Sequence, residues 1–321
     1  MKQNHTIRWV LYHEPIDLFQ RTAEAFGQEI SRLSDGRINV EVYTVAEFAE
    51  KFNKPADLEP MVWMQSGDCE MSQIHVERIG QWHSPDFYAL EMPFLFRSHE
   101  HATDVLEGPI GKNLLSNLEN TSPARGLAFT YSGGYRCMAF DREVCTADDL
   151  VGLSLVTSMN PVAIDTLRAF GCVAVPTNRQ DRHTEDNKFE KGLNGNNGIE
   201  TTIPRFEREV VGNTHRYVGN TQHSMYLTSI LIAKEFWNNL DAEDQALLQE
   251  AALHSSRLER QWSVDEAEET AASKEIQDRI GMIFHNFDEA ERAKLAEKVQ
   301  PLYAKYRDFF TPDLIDGIIK S

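Results

Sequence analysis

The sequence predicts an α/β fold in two lobes, on three observations. Near the N-terminus a strand, an amphipathic helix and a second strand follow one another, a β-α-β unit that favours parallel pairing. After Gly133 and Gly134 the alternation of strand and helix starts again. Finally, the stretch from Ala242 to Ile280 holds neither proline nor glycine. As one helix it would be about 58 Å long at ~1.5 Å per residue, whereas a domain of half this chain is only about 30 Å across. Its apolar positions Leu247, Leu248, Ala251, Ala252, Leu258 and Trp262 keep no heptad, so a spine running across two lobes is expected rather than a coiled coil.

Taken in order, "TIRWVLY" is the first strand. Ile16, Phe19, Ala23, Phe26, Ile30 and Leu33 recur at spacings of three and four, a helix with Pro15 in its first turn. Ile38, Val40 and Val42 alternate with polar residues as a strand. A helix around Leu58–Met64, a short strand in "CEMSQIHV", a packed apolar loop in "EMPFLF" and two helical stretches over about His99–Glu119 come next. "ARGLAFTYSGGYRCMAF" reads as two strands interrupted by the two glycines, where the chain crosses to the other lobe. Thr146 caps a short helix, "LSLV" and "VAVP" are strands, and a helix runs from Pro161 to just before Gly171. "GLNGNNG", Gly192–Gly198, is a turn-rich loop. Asp241 is the expected N-cap of the long helix and Gly281 its stop.

The chain has 321 residues, room for roughly two domains. Its net charge of −18, from 32 basic and 50 acidic side chains, repels phosphate backbones and anionic membrane surfaces, so nucleic acid and membrane are not expected partners. No apolar run approaches the ~20 residues of a membrane span. Lys2 is followed by no apolar core, so no signal peptide is expected in this chain. A cytoplasmic protein and a trimmed mature form both accord with that. The four cysteines form no C-x-x-C pair, which argues against a zinc ribbon or a thioredoxin-type site. Cys137 and Cys145 either face each other across a hairpin or are small buried apolar residues.

Catalytic signatures are missing: there is no G-x-S-x-G elbow, no P-loop, no H-E-x-x-H and no G-x-G-x-x-G. His99 and His101 in "SHEHATD" stand two apart and point to different helix faces, so neither a metal site nor a cofactor is expected. Arg136, after two glycines, offers a two-pronged donor to a carboxylate, or else a surface salt bridge. Glu200 in "NGIETTIP" either caps a helix or faces a ligand. His75 in "SQIHVE", and His223 and Tyr226 in "NTQHSMYLT", line a cleft or sit satisfied in a core.

The order of these segments resembles the solute-binding proteins of tripartite ATP-independent periplasmic (TRAP) transporters, the DctP type. "SDGRINVEVY" is similar to the family's "GRIKVEVF", "EMPFLF" to "LPFLF", and "EGPIGKNLL" to "GPIG-x-x-LL". "GGYRCMAF" with "TADDLVGLSL" resembles its arginine strand and "DLKGLK" element, and "NGIETTI" its "DGQENPL". The resemblance covers nearly the whole chain. It implies a periplasmic-binding-protein-like fold: two α/β lobes joined by crossing strands and the spine helix, with hinge closure on a ligand in the cleft between them. Here that means 1–130 with about 219–255 as one lobe, 131–218 with about 256–321 as the other, and a helix over about 242–280 spanning both. It further implies a periplasmic, monomeric, non-enzymatic protein that passes a small organic acid to membrane permease subunits. Alternatives are a cationic, zwitterionic or neutral solute, or a cytoplasmic sensor or enzyme on a related scaffold.

Carried over by position, the resemblance assigns Arg136 to a ligand carboxylate and places Glu200 and Thr201 beside the ligand. Gln73 and His75 join them from the first lobe, His223 and Tyr226 from the returning strand, and Tyr12 and Glu14 from the end of the first strand. The arginine of the family's "GLKIR" corresponds to Val156. The ligand is therefore expected to combine Arg136 with neutral donors such as Thr157 or Asn160, or to lay an apolar face on Val156, and simple dicarboxylates are expected to bind weakly.

Overall fold

In the computed structural model the described residues are 3–12, 17–56, 58–177, 193, 195–206 and 214–321. Glu14, Pro15 and Gly192 lie outside them. The strands are β1 (His5–Leu11), β2 (Ile38–Thr44), β3 (Met71–His75), β4 (Ala124–Phe140), β5 (Ser154–Thr157), β6 (Val173–Pro176), β7 (Gly198–Thr202), β8 (Tyr217–Asn220), β9 (Met225–Ala233) and β10 (Ile283–Asn286). The helices that matter below are α1 (Asp17–Leu33), α2 (Val45–Phe52), α3 (Pro60–Gln65), α4 (Val76–Trp82), α5 (His99–Glu107), α6 (Pro109–Asn117), α7 (Pro161–Phe170), α8 (Lys234–Asn238), α9 (Ala242–Ala272) and α10 (Lys274–Ile280).

Chain contacts divide into two units. The first comprises Met1–Val76, Thr103–Tyr131 and Leu227–Trp262, the second Glu77–Ala102, Ser132–Tyr226 and Ser263–Ser321. The segment 77–102, placed with the first lobe by the sequence, belongs to the second unit. Its backbone is tied there: Phe94 N donates to His223 O at 2.6 Å and Tyr303 Oη to Pro93 O at 2.7 Å. The return to the first unit comes at Leu227 rather than near residue 219, and Trp262 ends it rather than a residue near 255.

In the first unit, β1 pairs with β2 in parallel, as a β-α-β unit requires, and with β3 in parallel, while β3 and β9 run antiparallel. The sheet order is β2-β1-β3-β9-β4. The apolar stripe of α1 (Phe19, Ala23, Phe26, Ile30) meets Ile7, Trp9 and Met71 in one core, closed by Leu248, Ala251 and Ala252 of α9. The helix α2 was not legible as an element. It begins at Thr44, whose hydroxyl accepts from Glu47 N at 3.2 Å while the Glu47 carboxylate accepts from Thr44 N at 2.9 Å, a capping box.

In the second unit, β4 pairs antiparallel with β7 and β8, β7 pairs in parallel with β5, and β5 with β6. Cys137, Ala139, Val156, Ile199 and Val218 form its core with Ala267 and Ala271 of α9. The expected break at Gly133–Gly134 is a kink inside one strand: both glycines have positive φ, 90° and 78°, yet β4 runs on through them. A Cβ on Gly133 would stand 2.4 Å from Thr202 Oγ1. Thr146 caps no helix. It and Asp149 exchange the bonds of a capping box (Thr146 N to Asp149 Oδ2 at 2.9 Å, Asp149 N to Thr146 Oγ1 at 3.3 Å), but the chain turns instead.

The long helix starts as expected, with Asp241 Oδ1 accepting from Asp244 N at 2.8 Å, and Gly281 stops α10 with a φ of 72°. It is not continuous to residue 280. Ser273 leaves helical geometry (φ −95°, ψ 109°) and caps α10 by accepting from Ile276 N at 3.3 Å. The unbroken part is therefore about 46 Å at ~1.5 Å per residue.

Candidate functional site

Register decides which side chains meet. Arg136 stands opposite Thr202, Cys137 opposite Thr201 and Met138 opposite Glu200, so Arg136 and Glu200 share one face of the sheet. The residues opposite Ile199 are Ala139 and Val156, so Cys137, Thr201 and Val156 share the other. On the first face the second unit gathers a buried polar cluster around Arg136. Its Nη2 donates to Glu91 Oε1 at 2.9 Å. Glu77 Oε2 lies 3.7 Å from Nη2 and Glu200 Oε2 3.6 Å from Nη1. The Tyr226 ring covers the guanidinium, 3.8 Å from its central carbon. Arg136 is 4% exposed and Glu91 3%.

Besides Arg136, Thr157 and Asn160 add neutral donors to Glu200 and Glu91. Thr157 Oγ1 donates to Glu200 Oε2 at 2.6 Å, and the Asn160 amide donates to Glu91 Oε2. Asn160 also caps α7, its side-chain oxygen accepting from Val162 N at 2.9 Å. His223 Nε2 lies 2.8 Å from Glu200 Oε1 and its Nδ1 2.7 Å from Thr221 Oγ1. Burial opposes the charge on Glu200, but Arg136 and His223 outweigh it and hold its carboxyl down at about 2. An ionised carboxylate only accepts, so Nε2 is the protonated ring nitrogen. For Glu91 burial wins over Arg136, aided by repulsion from Glu77, and pushes it up to about 7. Arg136 is pushed up: burial works against its charge, and Glu200 and Glu91 outweigh that cost.

Of the residues singled out from sequence, Arg136, Glu200, His223 and Tyr226 are brought together, with Thr157 and Asn160. Two are not. Val156 is fully buried in the apolar core of the opposite face, beside Cys137, Ala139 and Ile199. Thr201 shares that face, its carbonyl 3.6 Å from the Cys137 thiol. Neither faces Arg136, because a one-residue step along a strand reverses the side. Gln73, His75 and Tyr12 belong to the first unit. There Gln73 Nε2 lies 2.8 Å from Thr130 Oγ1, Thr228 Oγ1 and both oxygens of Glu259. His75 meets the Phe19 ring edge-on at 6.0 Å, and Tyr12 donates to Glu59 Oε1 at 2.6 Å. Glu14 is outside the described residues. Sequence reasoning missed Glu77 and Glu91. Glu91 opens an apolar run, and only the oddity of an acid there could have marked it.

His99 and His101 form no joint site: His101 Nε2 bonds Ile318 O at 2.9 Å, while the His99 ring meets the Tyr135 ring at 4.9 Å with planes tilted by 57°. Cys137 and Cys145 are both free thiols. No helix among the described residues is long and apolar enough to cross a membrane.

A two-unit α/β chain with a buried arginine–carboxylate cluster fits a bacterial extracellular solute-binding protein. The sequence matches the bacterial extracellular solute-binding protein family 7, DctP, over residues 12–308, and the chain belongs to that family. It is 26% identical over 289 residues to a solute-binding protein of Roseobacter denitrificans, covering 87% of this chain and 84% of that one. Its fold is that of a TRAP periplasmic solute-binding protein from Ochrobactrum anthropi (TM-score 0.83, 23% identity, 99% and 94% of the two chains). It is also that of a sugar-acid-binding protein from Advenella mimigardefordensis in complex with galactonate (TM-score 0.82, 22% identity, 99% and 97%).

Proposed function

We infer that this protein is the periplasmic solute-binding subunit of a TRAP transporter. In this reading it captures a small organic acid through Arg136, hands it to membrane permease subunits, acts as a monomer and catalyses nothing. The observation that carries the reading is the state of Arg136. Its guanidinium is buried and held from one face by Tyr226, yet among the described residues its side chain spends one hydrogen bond, on Glu91, and meets Glu77 and Glu200 only at ion-pair distance. A ligand carboxylate can take the remaining N–H donors in a planar, two-pronged contact. The galactonate bound by the Advenella relative is an acid of this class.

A second observation favours a solute that also donates hydrogen bonds. Three carboxylates surround the one arginine, and Glu77 Oε2 is buried with no hydrogen-bond partner among the described residues. Hydroxyls of a sugar acid would satisfy such acceptors, and so would the ammonium group of a zwitterion. A dicarboxylate would add like charge. Thermal melting across sugar acids, dicarboxylates, zwitterions and neutral polyols decides among these, because a ligand raises the melting temperature by mass action. Sugar acids are expected to shift it most. A shift with zwitterions or neutral polyols alone would overturn the organic-acid reading.

A further inference from the structure

Sharing no residue with the Arg136 cluster, a second group of side chains converges in the second unit. Glu143 and Cys145 lie in the turn after β4, and His285 lies on β10. One ligand atom from each falls within 4.8 Å of the other two. Cys145 Sγ is 3.5 Å from His285 Nδ1 and 3.6 Å from Glu143 Oε1. An ion held tetrahedrally at about 2.3 Å from sulfur and about 2.0–2.1 Å from nitrogen or oxygen keeps such donors about 3.5 Å apart. The two edges that meet at sulfur already have that length.

The donors are fixed from outside the cluster. The backbone N–H of Cys145 is held by Asp149 Oδ2 at 3.0 Å. The imidazole of His285 stacks on Tyr217, with planes 19° apart, and its strand is in register with β8. Its other nitrogen, Nε2, makes no hydrogen bond among the described residues and lies 3.6 Å from Glu143 Oε1. Only Glu143 is exposed and free to swing inward.

We propose that Cys145, His285 and Glu143 form a site for a divalent transition-metal ion of the zinc class, with water as the fourth ligand. The donor set argues for that class: thiolate and imidazole suit zinc and cobalt, whereas magnesium and calcium take oxygen alone. One thiolate and one carboxylate neutralise a dication, and the thiol proton leaves to solvent. The protein's net charge of −18 raises the local cation concentration. Bound metal would tie the turn after β4 to β10.

Cobalt(II) added to the metal-free full chain tests this, because cobalt bound to a thiolate shows a ligand-to-metal charge-transfer band. One equivalent per chain is expected to give that band. Cys145→Ser should abolish it, and His285→Ala should weaken binding by about tenfold or more. Alkylation of the wild type with iodoacetamide serves where a variant folds poorly. Cys69, Cys137 and Cys172 are buried, so the reaction reports on Cys145, and zinc(II) should slow it at least about tenfold. An absent band in the wild type, the same band in Cys145→Ser, or alkylation unaffected by zinc would each overturn the site.

Discussion

His223 Nε2 stands 2.8 Å from Glu200 Oε1, both side chains fully sequestered, with Thr157 closing the carboxylate from its other side at 2.6 Å. Against the burial of Glu200, Arg136 and this pair hold its carboxyl down at about 2.

Glu200 therefore stabilises the fold through its charge. Its folded value lies below the ~4.3 of a free glutamate, so its contribution is present above about pH 4 and lost as pH falls toward 2. Glu200→Gln should be less stable than the wild type at neutral pH, and the gap should close in acid. Urea unfolding at about pH 7 and about pH 3 measures it. A gap unchanged between the two would mean that packing, not charge, sets the value of Glu200.

Arg136→Ala should lower affinity for an organic acid by about 2–5 kcal/mol. It should also destabilise the protein by about 3–5 kcal/mol, because it leaves buried carboxylates without their counter-ion. Calorimetry and thermal melting read the two losses separately. A stability loss with affinity unchanged would make Arg136 an internal counter-ion only.

Val156→Arg should place a guanidinium in the apolar core beside Ile199 and Ala139. The cost is several kcal/mol of stability, with no gain in affinity for simple dicarboxylates. Melting and titration with succinate check this. A stable variant with improved succinate binding would show that residue 156 does reach the ligand.

Glu259 is fully buried on α9 among Gln73, Thr22 and Thr130, with Arg260 nearby, and burial pushes its carboxyl up to about 8. Here the sign is opposite to that of Glu200. The folded chain holds the proton more tightly than the unfolded one, so the contribution is full below about pH 4 and lost as pH rises through 8. Glu259→Gln, which cannot ionise, should gain stability relative to the wild type between about pH 5 and about pH 9, as followed by urea midpoints. Parallel profiles for the two proteins would exclude this.

The alternation of strands and helices was legible because hydrophobic periodicity survives without tertiary context: α1, β2 and the cap at Asp241 follow from local pattern. Arg136 stood out by its glycine neighbours. Glu91 did not, because its reason for being buried is an arginine 45 residues away. Val156 was misplaced for a different reason. Matching a motif assigns a position along a strand, but the pairing of Val156 with Ile199 decides the face. The break at Ser273 was invisible because serine is tolerated in a helix and acts as a cap only where the chain turns away.

Each unit is assembled from three separated segments of chain, and this bears on synthesis from the ribosome. The first unit holds β1 and β2, yet its sheet needs β9 and its core needs Leu248, Ala251 and Ala252. A nascent chain shorter than residue 262 holds neither unit whole. The usual order, in which an N-terminal domain folds while the rest is still being made, is closed to this topology. Most of the polypeptide must emerge before either half can lock.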